Sequence, residues 1–286
     1  MKVDVFIVGA AKSGTTSLAN VFSKTKGMFV PTLKEPFFFV DDNVGVTSLE
    51  EYERLYSASK LGDTLVDAST GYLFDKAALT AIYEYNPNAK IIIVLRNPFK
   101  MAISLYNYMK VNGVEDRMAN DAFFENDSNF NDKVEKNNFG WKFNYEYIER
   151  AKYYQQVKNC MDIFSKNNVK VVLFEELTSQ FDKVIFEIEA FLGKKIEYKN
   201  LPKSNEGGKE RFLILSKIRN RQYPKLKKVF SANTRAKIRY LMKSFNTKKE
   251  KPEQIDAEVI VRLQNIFKSD FESLEVLLDR KLDVWR

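Results

Sequence analysis

The sequence contains no histidine. That absence removes a Ser-His-Asp triad, a His-ligated metal and an imidazole base. Any general base has to come from Asp, Glu, Lys, Tyr or Cys. The single cysteine, Cys160, allows neither an intrachain disulfide nor a thiolate cluster for zinc, and no metal is expected. No apolar run reaches the roughly 18 residues that a membrane span needs. The apolar stretch Met1–Gly9 is too short for a signal peptide, carries Asp4 and runs straight into a glycine loop. It reads as a buried strand, and a cytoplasmic location is the expectation. Internal repeats and low-complexity linkers are also missing.

What is present suits an α/β protein. The 286 residues are 44% hydrophobic and 14% aromatic, enough for a sizeable core, and one domain over 1–286 is expected. The net charge of +8 favours anionic ligands, although a solvated basic surface accounts for it equally well. Strands are expected at Val3–Val8, Leu65–Asp67, Ile91–Leu95 and Val169–Phe174, each a short apolar run. Helical spacing marks Thr15–Lys24, Lys76–Tyr85, Phe99–Lys110, Tyr145–Lys166, Phe181–Leu192 (stopped by Gly193) and Ala257–Leu278. The polar stretch Glu115–Gly140 reads as a loop or lid, about 112–142. Strand, loop and helix in alternation predict a P-loop-like central parallel sheet flanked by helices on both faces. Ligands of such sheets bind at the carboxyl ends of the strands. The loops after Val8 and Leu95 are therefore expected side by side.

Two segments carry the chemistry. The first is Gly9-Ala10-Ala11-Lys12-Ser13-Gly14-Thr15-Thr16, between a strand and a helix. Glycine lets the backbone wrap an anion, and the helix presents unpaired N–H groups and the positive end of its dipole. The Gly9…Gly14 spacing matches a P-loop, yet Thr15 stands where a P-loop NTPase has lysine; the cation comes earlier, at Lys12. This argues against ATP with Mg²⁺ and for an ammonium beside a group on a single 5′-phosphate. The second is Ile91–Leu95 followed by Arg96-Asn97-Pro98, with Ser104 eight residues after Arg96. Arg offers a planar, permanently charged fork for a phosphate dianion, and Ser adds a hydroxyl. Alone, such an Arg can simply pair with an acid. Beside the first loop it supplies the second anion site that a 3′,5′-bisphosphate requires.

Lys12-Ser13-Gly14-Thr15-Thr16-Ser17-Leu18 resembles the 5′-phosphosulfate loop of sulfotransferases that use 3′-phosphoadenosine-5′-phosphosulfate (PAPS, with product PAP). Strand–Arg96–x–Pro98–…–Ser104 resembles the 3′-phosphate motif of the same family. The resemblance implies that Ala11, Lys12, Ser13, Gly14, Thr15 and Thr16 hold the 5′-phosphate, with Lys12 neutralising the leaving group. Arg96 and Ser104 would bind the 3′-phosphate. The loop at about 203–212 resembles a late loop that folds over the nucleotide, with Gly208, Lys209 and Arg211 as its candidates. Glu35, in Lys34-Glu35-Pro36-Phe37-Phe38-Phe39, resembles the base of the glycan, heparan-type branch. Burial among phenylalanines is expected to raise its pKa. Val66–Leu73 resembles a segment facing the acceptor, with Asp67, Ser69 and Tyr72 as candidates.

The implied activity is in-line transfer of a sulfuryl group to a hydroxyl or amine of a glycan, lipid or small-molecule alcohol. The rivals are a P-loop kinase or NTPase and a non-catalytic polyanion binder; no nucleic-acid motif is present.

Overall fold

The protein is described from a computed structural model, which covers residues 2–40, 45–112, 115–125, 145–197, 209–210, 247–248 and 254–286. The described chain clusters into two compact units. One comprises Met1–Met101, Lys152–Ser204 and Phe267–Arg286; the other comprises Ala102–Ala151 and Asn205–Ile266.

The first unit holds a five-stranded parallel sheet. Its strands are β1 (Val5–Gly9), β2 (Met28–Phe29), β3 (Thr64–Asp67), β4 (Lys90–Leu95) and β5 (Val169–Leu173), in the order β2-β3-β1-β4-β5. Ile91–Leu95 pairs in unbroken register with Val169–Leu173; Ile91–Leu95 is buried throughout, as a continuous apolar strand requires, whereas Lys170 and Val171 of the edge strand β5 are only half-buried. Side chains alternate along β1. Val5 and Ile7 join Leu18 and Phe22 of α1 (Thr15–Lys24) and Val184, Ile185 and Ile188 of a later helix in one core. Phe6 and Val8 point to the other face, which α3 (Lys76–Tyr85) and α6 (Tyr153–Phe164) cover with buried Leu79, Ile82, Val157 and Phe164. Helices thus flank the sheet on both faces. Each fully buried aliphatic side chain contributes roughly 1.5–3 kcal/mol.

Several elements differ from expectation. Helix α2 (Leu49–Arg54) was not foreseen, although Ser48 caps it by accepting from Glu51 N at 3.1 Å. The strand at Val169 ends at Leu173, and a short helix, α7 (Phe174–Ser179), begins at once; α8 (Phe181–Leu192) follows. The helical pattern from Tyr145 yields a 3₁₀ turn at Glu149–Ala151 and only then α6, because Lys152 leaves the helical region at ψ 99°.

In the second unit, α4 (Pro98–Val111) continues from the first, and α5 (Ala119–Phe124) lies inside the stretch expected as a loop. That stretch starts with an ordered corner. Buried Glu115 takes two bonds from the Arg117 guanidinium (3.0 and 2.8 Å) and one from Tyr147 Oη at 2.9 Å. Strands β6 (Lys209–Glu210) and β7 (Thr247–Lys248) form an antiparallel pair. Helix α9 (Ala257–Leu278) returns to the first unit. Among the described residues, no helix is long and apolar enough to cross a membrane.

Candidate active site

Sheet order sets the site. Strand β1 lies between β3 and β4, so three carboxyl ends stand in a row about 10 Å wide, at roughly 4.8 Å per strand. Glu35 and Thr70 meet at the β3 end, the Gly9–Thr16 loop leaves β1, and Arg96 leaves β4.

The β1 loop takes its shape from residues in the left-handed region. Lys12 has φ 59° and Gly14, the N-cap of α1, has φ 84°. A lysine in that region is uncommon and marks a backbone held by its surroundings. At Gly14 a Cβ would come within 2.5 Å of the Phe174 ring, so only glycine fits. The Gly14 carbonyl accepts from Ser17 N and Leu18 N at 3.0 and 3.1 Å, which starts α1 and aims its first N–H groups into the loop. Ser13 and Thr15 are buried, while Ala11, Lys12, Gly14 and Thr16 are half-buried. Ser13 Oγ donates to the Ala11 carbonyl at 3.2 Å.

Arg96 joins the second tip to the first. Its Nη1 donates to the Lys12 carbonyl at 3.2 Å, and its guanidinium lies 5.2 Å from the centre of the Phe174 ring. Its Nε is buried with no hydrogen-bond partner. The following Asn97 is braced from two directions. Asn97 N donates to Glu175 Oε1 at 3.1 Å, and Asn97 Nδ2 donates to the Trp285 carbonyl at 2.9 Å. Trp285 Nε1 closes the loop by donating to Glu175 Oε2 at 2.8 Å. Sequence reasoning missed this brace, which spans 188 residues and leaves no local pattern.

At the β3 end, Glu35 Oε1 accepts from Thr70 Oγ1 at 2.8 Å and from Lys34 Nζ at 3.1 Å, with the Glu35 side chain 36% exposed. The expectation of a raised pKa is overturned. Burial does push it up, but Lys34 and the Thr70 hydroxyl and amide together outweigh burial and hold the carboxyl below its ordinary value. The phenylalanines that follow Glu35 pack against other aromatic rings. Phe38 stacks on Tyr52 at 4.7 Å, and Phe39 packs against Phe6, Tyr52, Tyr72 and Tyr85.

Asp67, Ser69 and Tyr72 face one another, all fully buried. Asp67 accepts from Tyr52 Oη (2.9 Å), Tyr72 Oη (3.2 Å), Ser69 N (2.9 Å) and Ser69 Oγ (2.7 Å). Burial nevertheless raises its pKa to about 6 against these four bonds. Ser69 Oγ also accepts from Phe37 N at 3.2 Å, which ties this network to the Glu35 segment.

Ser104 is half-buried on α4 and belongs to the second unit. Lys209 lies in β6, with only its main chain described; Gly208 and Arg211 lie outside the described residues. Cys160 is fully buried in α6, and burial pushes its thiol well up, away from any role as a nucleophile. No cluster of possible metal ligands occurs among the described residues. A shallow cleft of about 440 Å³, lined by Lys2, Asp4, Thr64, Asn86 and Lys90 among others, lies at the amino ends of the strands, away from this chemistry.

The parallel sheet thus carries a glycine-containing loop on one strand tip, hydrogen-bonded to an arginine on the neighbouring tip. Residues 2–276 match the family described as the sulfotransferase domain, and the chain belongs to it. A sulfotransferase of Alicyclobacillus acidocaldarius is similar over 100% of this chain and 99% of that one, at 23% identity and a TM-score of 0.74. The sulfotransferase domain from the curacin biosynthetic pathway is similar over 99% of each chain, at 13% identity and a TM-score of 0.54. These likenesses concern the fold. A comparison with curated proteins returns no match.

The residues fit a bisphosphorylated nucleoside. The loop amides of a helix N-terminus, the Lys12 ammonium and a guanidinium with a buried, unsatisfied Nε form a donor set for two anions.

Proposed function

We propose that the two linked tips hold the two phosphate ends of PAPS and that Glu35 activates the acceptor. The observation that carries this reading is the bond from Arg96 Nη1 to the Lys12 carbonyl, which makes one continuous anion-binding edge of two separate motifs. PAPS itself supplies an activated sulfuryl group on a good leaving phosphate. Thr15, Thr16 and the loop amides orient the 5′ end, and Lys12 neutralises charge that builds there in the transition state. Arg96 orients the 3′ end. Ser104, Gly208, Lys209 and Arg211 retain the nucleotide-binding roles implied by the sequence resemblance, as proposals resting on sequence.

Glu35 takes the acceptor proton. Lys34 and Thr70 keep it ionised at neutral pH and ready to accept, at the cost of some basicity. Asp67, Ser69 and Tyr72 work from behind, holding the main chain of the Glu35 segment through Phe37. The acceptor is a hydroxyl or amine of a saccharide or small-molecule alcohol, as the basic balance and the carboxylate base favour. The family match sets aside the kinase and polyanion-binding alternatives.

The test is sulfuryl transfer from labelled PAPS to a panel of acceptors, run with Glu35→Gln. Turnover should fall at least about a hundredfold, the scale of a lost general base, with PAP affinity nearly intact. Full activity in Glu35→Gln means that another group is the base.

A further inference from the structure

Strand register sets Asn97 against Glu175. Leu95 of β4 pairs with Leu173 of β5, so the residues that leave the two strands stay abreast. The Arg96 guanidinium faces the Phe174 ring at 5.2 Å, and one residue further on Glu175 Oε1 accepts from Asn97 N at 3.1 Å. That N–H belongs to the peptide joining Arg96 to Asn97, so the bond fixes the main chain from which Arg96 projects. It is a bond to a carboxylate, the stronger kind. Asn97 is buried, and its carbonyl accepts from Met101 N at 2.9 Å as α4 begins.

Glu175 is itself held. Its second oxygen, Oε2, accepts from Trp285 Nε1 at 2.8 Å, and the Trp285 carbonyl accepts from Asn97 Nδ2 at 2.9 Å. Asn97, Glu175 and Trp285 thus close a ring of three hydrogen bonds at the base of Arg96. Trp285 is buried, its ring 6.0 Å from those of Tyr153 and Phe271. The 3₁₀ turn that carries it, Asp283–Trp285, is tied to α9, where Glu275 accepts from Leu282 N at 2.7 Å and from Arg286 Nη2 at 3.0 Å. Both Glu175 oxygens go to these donors, while Arg96 Nε stays buried without a partner among the described residues.

We propose that Glu175, seated by Trp285, is a positioning residue for the donor: it sets the direction of the Arg96 guanidinium and thereby the grip on the 3′-phosphate. The proposal rests on the nucleotide reading above. It needs no movement, since every bond of the ring is already formed. An arginine fixed beforehand loses little freedom when the nucleotide arrives. The charge of the carboxylate works the other way, because it weakens the attraction of the site for a phosphate. Position and charge therefore predict opposite effects for Glu175→Gln.

The experiment titrates PAP and adenosine 5′-monophosphate calorimetrically into wild type, Glu175→Gln, Trp285→Phe, Arg96→Ala and the double variant Glu175→Gln/Arg96→Ala. Glutamine offers one acceptor oxygen to two donors, so one bond of the ring is lost. The preference of Glu175→Gln for PAP over the monophosphate should fall about fivefold, the scale of one net hydrogen bond, with monophosphate Kd within about twofold of wild type. Trp285→Phe keeps a ring, removes one donor and leaves the charge alone; its preference should fall about two- to fivefold. Adding Glu175→Gln to Arg96→Ala should cost nothing more, because the one acts through the other. A preference unchanged or raised in Glu175→Gln overturns the proposal, as does one unchanged in Trp285→Phe, which decides the matter if Glu175→Gln does not fold. An equal loss of both nucleotides also overturns it, since that marks a role in the fold alone. A PAP preference that survives Arg96→Ala overturns the nucleotide reading itself, whereas loss there with none in Glu175→Gln overturns only the role of Glu175.

Discussion

Replacing Gly14 by alanine tests how the loop is shaped. Gly14 sits at φ 84°, where an L-residue costs roughly 1–2 kcal/mol. The added methyl would also lie 2.5 and 2.7 Å from Cδ2 and Cε2 of Phe174, inside any real contact distance. The ring packs partly against the core, so it can move only by disturbing its neighbours, and overpacking of this kind costs about 1–3 kcal/mol. Gly14→Ala should therefore lose about 2–5 kcal/mol in a denaturant titration. The two contributions separate in a double-mutant cycle. In a Phe174→Ala background the clash disappears and only the backbone cost of roughly 1–2 kcal/mol remains. PAP affinity should fall in Gly14→Ala as well, because the displaced ring is the one 5.2 Å from the Arg96 guanidinium. An equal stability loss from Gly14→Ala in both backgrounds refutes the steric argument.

Asp67 gives a signed pH dependence. Burial raises its folded pKa from the ordinary 3.8 to about 6, so the folded state binds the proton more tightly than the unfolded one. Its contribution to stability is greatest below about pH 4 and declines by about 3 kcal/mol as pH rises to about 6, then stays level. The difference between the stability curves of wild type and Asp67→Asn should show that decline; a flat difference across this window contradicts it. Glu35 behaves in the opposite sense, with its carboxyl held low by Lys34 and Thr70. Lys34→Ala removes the largest opposing charge and leaves the burial, so the acid limb of kcat should move to higher pH; an unmoved limb shows that Glu35 does not govern it.

Much of the fold is legible because local signals and tertiary structure agree. Thr15–Lys24, Lys76–Tyr85, Phe181–Leu192 and Ala257–Leu278 begin and end as their periodicity and flanking residues indicate. Helix α2 was equally legible, since Ser48 and Glu51 form a capping pattern, but its six residues offer too little periodicity to draw attention. Strand β2 is two residues long and owes its place to pairing with β3 rather than to its own pattern. Side-by-side tips followed from strand order, and so the Lys12–Arg96 junction was foreseeable in outline. The state of Glu35 was not. Its pKa depends on whether Lys34 and Thr70 or the phenylalanines lie nearest, which chain proximity does not decide. Trp285 reaches the site from far along the sequence, and nothing in its own segment marks it.

The central claim is that one tip binds each phosphate end of the donor nucleotide. Calorimetric titration of wild type and Arg96→Ala with PAP and with adenosine 5′-monophosphate, which lacks the 3′-phosphate, tests it most directly. Wild type should prefer PAP by about 30- to 1000-fold, equivalent to about 2–4 kcal/mol for a charge-assisted contact. Arg96→Ala should bind the two nucleotides almost alike, with its affinity for the monophosphate little changed. A preference for PAP that survives Arg96→Ala contradicts the account.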